Sequence, residues 1–299
     1  MTVGLALAID LGGTNLRAAV IDAVGTVLRR NAVPTDVNGG PPAIIAQMLH
    51  LADELGGLQD IVAAGIAAPG PLDSETGRII GIPTLPGWEK YPLRDAMAGK
   101  LERPVVLEND GIAAAVGEWT FGAGRGLDHM VYVTVSTGIG GGVIADGKVL
   151  RGRQGMAGHI GHMMIAADGP RCACGGTGCF EALASGTAFG IAARHAGYDD
   201  AATAVRAARA GDAVALALVD REAGLLGYGF ASLLHLYAPQ RLVIGGGVSD
   251  ALDLMQTRIR GQIERHAMPP FRDIGIVRAE LGDNSGLVGA AALALMGTG

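Results

Sequence analysis

A chain of 299 residues is long enough for two ordinary domains or one large α/β unit, with ample length to bury cores. Its formal net charge of −6 argues against nucleic acid as a partner, since phosphate neutralisation needs a basic face, and no apolar run reaches membrane-spanning length. The 49 glycines are scattered among apolar segments, which predicts many tight loops rather than a low-complexity tract.

Met1–Ile9 has no cationic region and soon meets Asp10, so no signal peptide is expected. The expected location is the cytoplasm, where thiols stay reduced. Leu5–Ile9 is a continuous apolar run that reads as a buried strand, followed by the loop Asp10-Leu11-Gly12-Gly13-Thr14. Leu16–Ile21 and Thr26–Leu28 then predict a hairpin turned at Asp22–Gly25. A helix is expected near Pro42–Leu55, a strand at Ile61–Ala67, and a loop at Ala68-Pro69-Gly70-Pro71-Leu72-Asp73. Val105–Leu107 predicts a short strand ending at Glu108-Asn109-Asp110, with a helix over Ile112–Trp119 after it.

The same order of strand, glycine loop and hairpin returns at Met130–Val135, Ser136-Thr137-Gly138-Ile139-Gly140, Gly142–Ala145, an Asp146-Gly147 turn and Lys148–Leu150. This is an internal repeat, and it predicts two related domains. Neither loop matches the common nucleotide fingerprints. There is no Gly-Lys-Ser/Thr for a P-loop, and each loop leads into a strand where a Rossmann motif would open a helix. Their backbone N–H groups are still suited to cradling phosphates.

The chain then places all three of its cysteines, Cys172, Cys174 and Cys179, within eight residues. Gly175, Gly176 and Gly178 let that backbone wrap tightly, and Gly158-His159-Ile160-Gly161-His162 precedes it with imidazoles at metal-ligand spacing. Cysteine is often a small buried hydrophobe, but clustering of every cysteine in the chain argues against that reading here. Three thiolates and one imidazole make a closed tetrahedral Zn²⁺ site, whose role is to hold a loop rather than to activate water. Alanine-rich helices are expected through much of Ala182–Ala210 and over Ala213–Tyr237. A strand at Arg241–Ile244 feeds Gly245-Gly246-Gly247, and Ser285–Met296 reads as a last helix. The domain limit is placed near residue 115, with a small domain of 1–115 plus 285–299 and a large one of 116–284 carrying the cysteine loop.

Together with Leu85-Pro86-Gly87-Trp88, these segments in this order resemble the ROK family of sugar kinases and related repressors, over essentially the whole chain. The resemblance implies an α/β, two-domain actin/hexokinase-like (ribonuclease H-like) fold with internal duplication. It implies ATP-dependent phosphorylation of a hexose at its 6-hydroxyl with Mg²⁺, and a homo-oligomer, dimer or tetramer, is expected. Asp110 is then the candidate general base: a carboxylate at a strand's carboxyl end can take the proton of an attacking sugar hydroxyl while Mg²⁺ and the loops stabilise phosphate. Its plainer reading is a cap for the helix near Ile112. The resemblance places Asp10, Gly12, Gly13, Thr14, Thr137, Gly138, Gly245 and Gly246 at ATP and Mg²⁺. It places Gly70, Thr84, Asn109, Asp110, His159, His162 and Glu181 at the sugar, and assigns His162 with the cysteines to zinc. A metal-pinned loop would fix the direction of Glu181, which follows Cys179 by two residues.

Two positions depart from the glucose-type pattern, His159 where most such members carry glutamate and Thr84 where they carry asparagine. Bacterial N-acetylmannosamine kinases resemble the chain at Gly158–His162, whereas Pro69–Asp73 and Leu85–Trp88 look glucokinase-like. The expected substrate is therefore N-acetylmannosamine or glucose. An imidazole offers a donor and an acceptor where carboxylate offers acceptors alone, so the two read different hydroxyl patterns. The family's repressors carry a DNA-binding helix-turn-helix before the first loop; only nine residues precede Asp10, and the kinase reading leads.

Overall fold

A computed structural model describes residues 4–82 and 85–297. The chain forms two compact units, one built from residues up to Gly126, Lys148–Gly158 and the segment from Glu280 on, the other from Leu127–Gly147 and His159–Ala279. The first contains β1 (Leu5–Leu11), β2 (Asn15–Ile21), β3 (Val27–Pro34), α1 (Gly40–Leu55), β4 (Ile61–Ala68), β5 (Leu72–Asp73), β6 (Arg78–Ile79), α2 (Leu93–Leu101), β7 (Val105–Asn109) and α3 (Asp110–Phe121). The second opens with β8 (Met130–Val135) and β9 (Ile139–Ala145); the short β10 (Lys148–Val149) belongs to the first unit. Then follow α4 (Phe180–Ala184), α5 (Gly186–His195), α6 (Ala201–Arg209), α7 (Ala213–Tyr237), β11 (Arg241–Gly245), α8 (Leu252–His266) and β12 (Gly275–Arg278), before α9 (Ser285–Met296) returns to the first unit.

The first unit's sheet has the order β3-β2-β1-β4-β7, with β1 antiparallel to β2 and parallel to β4. Side chains alternate along a strand, and β1 uses the alternation asymmetrically. Leu7, Ile9 and Leu11 join a core with Ile44, Met48 and Leu51 of α1 and with Trp88, Leu93 and Met97. Ala6 and Ala8 face a second core with Ala113 and Val116 of α3 and Leu287 and Ala290 of α9. Small residues on this face let α9 pack backbone to backbone. A Cβ added at Gly65 would collide with the Ala290 carbonyl, and one at Gly289 with the Ala113 carbonyl. Glu118 ties the two helices further: buried on α3, it accepts from the Ala123 N–H at 3.0 Å, the Glu280 N–H at 3.0 Å, the Leu281 N–H at 2.9 Å and the Ser285 hydroxyl at 2.8 Å. Residue 115 lies inside α3, and the compact unit continues to Gly126.

In the second unit β9, β8, β11 and β12 lie side by side in that order, β8 antiparallel to β9 and parallel to β11. The order β2-β1-β4-β7 is thus repeated, hairpin partner first and two parallel neighbours after, which is the duplication expected from the sequence. The alanine-rich stretch 182–210 is three helices. Ser185 ends α4 and caps α5 through the Ala188 N–H, and Asp200 caps α6 through the Thr203 N–H, so capping side chains override alanine's helix propensity. No helix among the described residues is long and apolar enough to cross a membrane.

Candidate active site

Strand register brings the first unit's chemical residues to one edge. Asp10 of β1 pairs with Ala67 of β4, and Ala68 with Asn109 of β7, so Asp10, the Pro69-Gly70 loop and Asn109-Asp110 all sit at the carboxyl ends of parallel strands. That edge is where open α/β sheets bind ligands. The capping role falls on Asn109, whose Oδ1 accepts from the Gly111 N–H at 3.0 Å and the Ile112 N–H at 3.4 Å, leaving its Nδ2 as a donor. Asp110 is the first helical residue and is solvent-accessible although protein crowds it. Desolvation by those surroundings and then the charge of Asp10 push its pKa up to about 6. It is ionised at neutral pH and close to a general base's working range.

Asp10 is itself raised by burial, opposed by Arg17. The Arg17 guanidinium stands 3.4 Å from it across the β1–β2 hairpin, where the two residues are register partners. The following loop is closed by a Gly12 N–H to Asn15 carbonyl bond of 3.0 Å, and Thr35 clasps it from β3's end, donating its hydroxyl to the Gly12 carbonyl at 2.7 Å and its N–H to the Thr14 carbonyl at 2.9 Å. Glu108 is buried and its carboxylate accepts from Arg151 Nε at 3.1 Å; burial raises its pKa and the Asn109 N–H and Arg151 oppose the shift. Gly70 is half-buried in the loop after β4, and Thr84 lies outside the described residues.

In the second unit Thr134 and Gly245 are register partners, which sets the loop after β8 beside the loop after β11. Gly246 has φ +79, and a Cβ there would run into the Val135 backbone, so the position demands glycine. Ser136 and Thr137 turn their carbonyls toward α5: the Gly186 N–H reaches the Ser136 carbonyl at 2.7 Å, and the Thr187 hydroxyl reaches that of Thr137 at 2.7 Å. In a trans peptide the N–H points opposite the carbonyl, so the N–H groups of Thr137 and Gly138 are aimed away from α5. Glu181 Oε2 accepts from the Ile139 N–H at 2.9 Å.

His162, Cys172, Cys174 and Cys179 place their ligand atoms within 4.8 Å of one another. Cys174 Sγ is 3.7 Å from Cys179 Sγ, and His162 Nδ1 is 3.7 Å from Cys172 Sγ. Two sulfurs bound tetrahedrally at about 2.3 Å would stand roughly 3.8 Å apart, so the donor set fits Zn²⁺. Nδ1 faces the sulfurs, which leaves His162 Nε2 for another partner. The His159 ring lies near that of His162, centroids 6.2 Å apart, and its pKa is lowered by desolvation and then by His162. A neutral imidazole at pH 7 follows.

Four contributors were not singled out from sequence. Arg17 follows from hairpin register once β1 and β2 are paired, since it sits opposite Asp10. Thr35, Arg151 and Thr187 act across 23, 43 and 50 residues respectively, and no local spacing marks them.

The model of the ROK family matches residues 6–296. A glucokinase of Thermotoga maritima is 34% identical, with 96% of each chain covered. An N-acetylmannosamine kinase of Yersinia pseudotuberculosis is 34% identical over 97% of this chain and 98% of its own. Among solved structures, a ROK family glucokinase from Streptomyces griseus in complex with glucose and AMPPNP superposes with a TM-score of 0.88 at 34% identity, covering 98% of this chain and all of the other.

Proposed function

The chain belongs to the ROK family, and from that premise we propose that it is an ATP-dependent hexose kinase that phosphorylates the 6-hydroxyl of glucose or N-acetylmannosamine. The observation that carries the chemistry is Asp110, ionised at neutral pH and solvent-accessible, with one oxygen accepting the Gly111 N–H at 2.8 Å while Asn109 supplies the helix cap. Its carboxylate takes the proton from the sugar hydroxyl as that oxygen attacks the γ-phosphorus, and the bond from that phosphorus to the β,γ-bridging oxygen breaks, with ADP leaving. Asp10 suits a divalent cation, because two carboxylates close enough to raise one another's cost of ionisation are relieved by a positive charge. Bound Mg²⁺ neutralises charge developing on the transferred phosphoryl group.

The remaining residues bind and orient. Gly12, Gly13, Thr14, Thr137, Gly138, Gly245 and Gly246 are assigned to ATP. Gly70, Thr84, Asn109, His159, His162 and Glu181 are assigned to the sugar, with Asn109 Nδ2 and His162 Nε2 as the atoms left available by their other bonds. His162, Cys172, Cys174 and Cys179 would hold a structural Zn²⁺, a reading supported by the closeness of their four donor atoms, all within 4.8 Å of one another. A coupled ADP-release assay across glucose, mannose, N-acetylmannosamine and N-acetylglucosamine, with Mg²⁺ present, tests the reading. Turnover should appear with at least one hexose and vanish from none by removing contaminating kinases; no ADP release with any hexose overturns it.

A further inference from the structure

Glu181 was expected to accept a bond from a sugar hydroxyl, yet one of its oxygens is already engaged elsewhere. Oε2 accepts the Ile139 N–H at 2.9 Å, in the glycine loop after β8, while Oε1 lies 4.0 Å from Cys172 Sγ in the thiolate cluster. A Cβ added at Gly138 would collide with the same Oε2, so carboxylate and loop are in direct contact. Glu181 is the second residue of α4, two residues after Cys179, and the chain then runs through Ser185 into Gly186 and Thr187, which hold the Ser136 and Thr137 carbonyls. The segment that carries the sulfurs and the segment that grips the loop are therefore one short stretch of chain.

We propose that Glu181 is a positioning residue that fixes the Thr137–Ile139 loop to the thiolate–imidazole cluster, so that the cation held there sets the aim of the loop's N–H donors toward the nucleotide's phosphates. The proposal rests on the reading of this loop as a nucleotide loop. Its physical basis is that a charge-assisted bond from a carboxylate to a backbone N–H is stronger than a neutral one and is lost whole when the side chain is truncated. The carbonyl grips at Ser136 and Thr137 orient two peptide planes, and the Ile139 bond fixes the third. The Gly138 carbonyl of that same plane accepts the Ser136 N–H at 2.9 Å, a bond internal to the turn, so Glu181 supplies this plane's anchor to the cysteine-bearing segment.

Glu181→Ala and Glu181→Gln separate this role from sugar recognition. Hydrogen–deuterium exchange of residues 135–141 should accelerate roughly 10- to 100-fold in Glu181→Ala, and affinity for a non-hydrolysable ATP analogue should fall about tenfold or more. Glu181→Gln keeps an oxygen able to accept the Ile139 N–H and should recover most of the protection and the nucleotide affinity, whatever it does to the KM for hexose. Chelating the metal from the wild type should accelerate exchange in the same segment. Unchanged exchange in both Glu181→Ala and the chelated wild type overturns the proposal, as does a loss of hexose affinity with nucleotide affinity intact. Should Glu181→Ala fail to fold, Glu181→Gln and the chelated wild type decide it by the same exchange measurement. An absence of ADP release by the wild type would instead remove the kinase reading, which the exchange data do not touch.

Discussion

In the first unit β1 carries Asp10 one residue before its end, 3.4 Å from Arg17, and β7 ends on Asn109 and leads into Asp110; in the second, β8 ends on Val135 and leads into Ser136-Thr137, with no ionisable side chain. The carboxylate that touches the second loop comes from Glu181, 42 residues from Ile139, and it accepts a backbone N–H. The same path of strand, loop and antiparallel strand thus serves different chemistry. One copy presents charge and holds its loop with the neutral Thr35; the other presents backbone N–H groups and holds them with a side chain from the segment that carries the cysteine cluster. Substitutions at Asp10 and Asp110 of the first unit should act on the rate and its pH dependence. Those at His159, Cys174 and Glu181 of the second should act on affinity and specificity.

The largest expected effect is at Asp110. Asp110→Asn keeps the side chain's shape but cannot accept the proton, and kcat should fall roughly 10²- to 10⁴-fold with little change in sugar binding. Because burial and Asp10 raise its pKa to about 6 in the free protein, the wild-type kcat/KM should decline as pH falls through that value, where the base becomes protonated. Asp10→Asn removes the charge that helps raise it, so any residual activity should show the acid limb at lower pH. Near-normal turnover by Asp110→Asn sinks the general-base assignment.

His159 tests whether the second unit carries specificity. Its imidazole is kept neutral at pH 7 and offers one donor and one acceptor, where glutamate offers acceptors alone. His159→Glu should move relative kcat/KM toward glucose over N-acetylmannosamine by roughly one to two orders of magnitude, the value of about 1–3 kcal/mol for one mispaired polar contact. Measuring both sugars with both proteins decides it, and an unchanged ratio leaves His159 with no part in the choice.

Cys174→Ser removes one sulfur from the cluster. Elemental analysis should find about one zinc per chain in the wild type and a loss in the variant, with nucleotide and sugar affinities each falling roughly tenfold. The acid limb of kcat/KM should stay near pH 6, since it belongs to Asp110. A limb that moves with zinc content would break the separation between the units, because a purely structural metal has no reason to retune Asp110.

Much of this division is written locally. Leu7 and Ile9 alternating with Ala6 and Ala8, the two glycine loops and the three clustered cysteines each state their structure within a dozen residues. What was not legible depends on register or on distant chain. Asn109 rather than Asp110 caps α3 because the strand continues two residues further than its apolar run, to Asn109 itself. Glu181's bond to Ile139 and the grip of Thr187 on Thr137 arise only when α4 and α5 fold back beside β8. The breaks at Ser185 and Asp200 were hidden because alanine-rich composition signals helix without signalling where one helix stops.

Two buried glutamates extend the contrast to stability. Glu118 in the first unit accepts from three backbone N–H groups and a hydroxyl, whereas Glu222 on α7 of the second is fully buried with no hydrogen-bond partner for either oxygen among the described residues. Burial pushes Glu222 up to about 8, with Arg221 opposing, so the folded protein keeps it protonated at neutral pH. The unfolded chain titrates near the ordinary value of 4.5, and a folded pKa above the unfolded one means that this contribution is fully present below 4.5 and is lost as pH rises through 8. Each unit of pH within that window costs roughly 1.4 kcal/mol from this group. Glu222→Gln cannot ionise, so its Tm should fall less than the wild type's between pH 5 and pH 9, by several degrees at the alkaline end. Glu118→Gln should instead lower Tm at neutral pH, because an NH₂ group then faces donors that a carboxylate satisfied. Thermal scans of the three proteins across that range check both, and parallel curves for wild type and Glu222→Gln would mean that Glu222 is solvated or paired in solution and that the second unit hides no uncompensated acid.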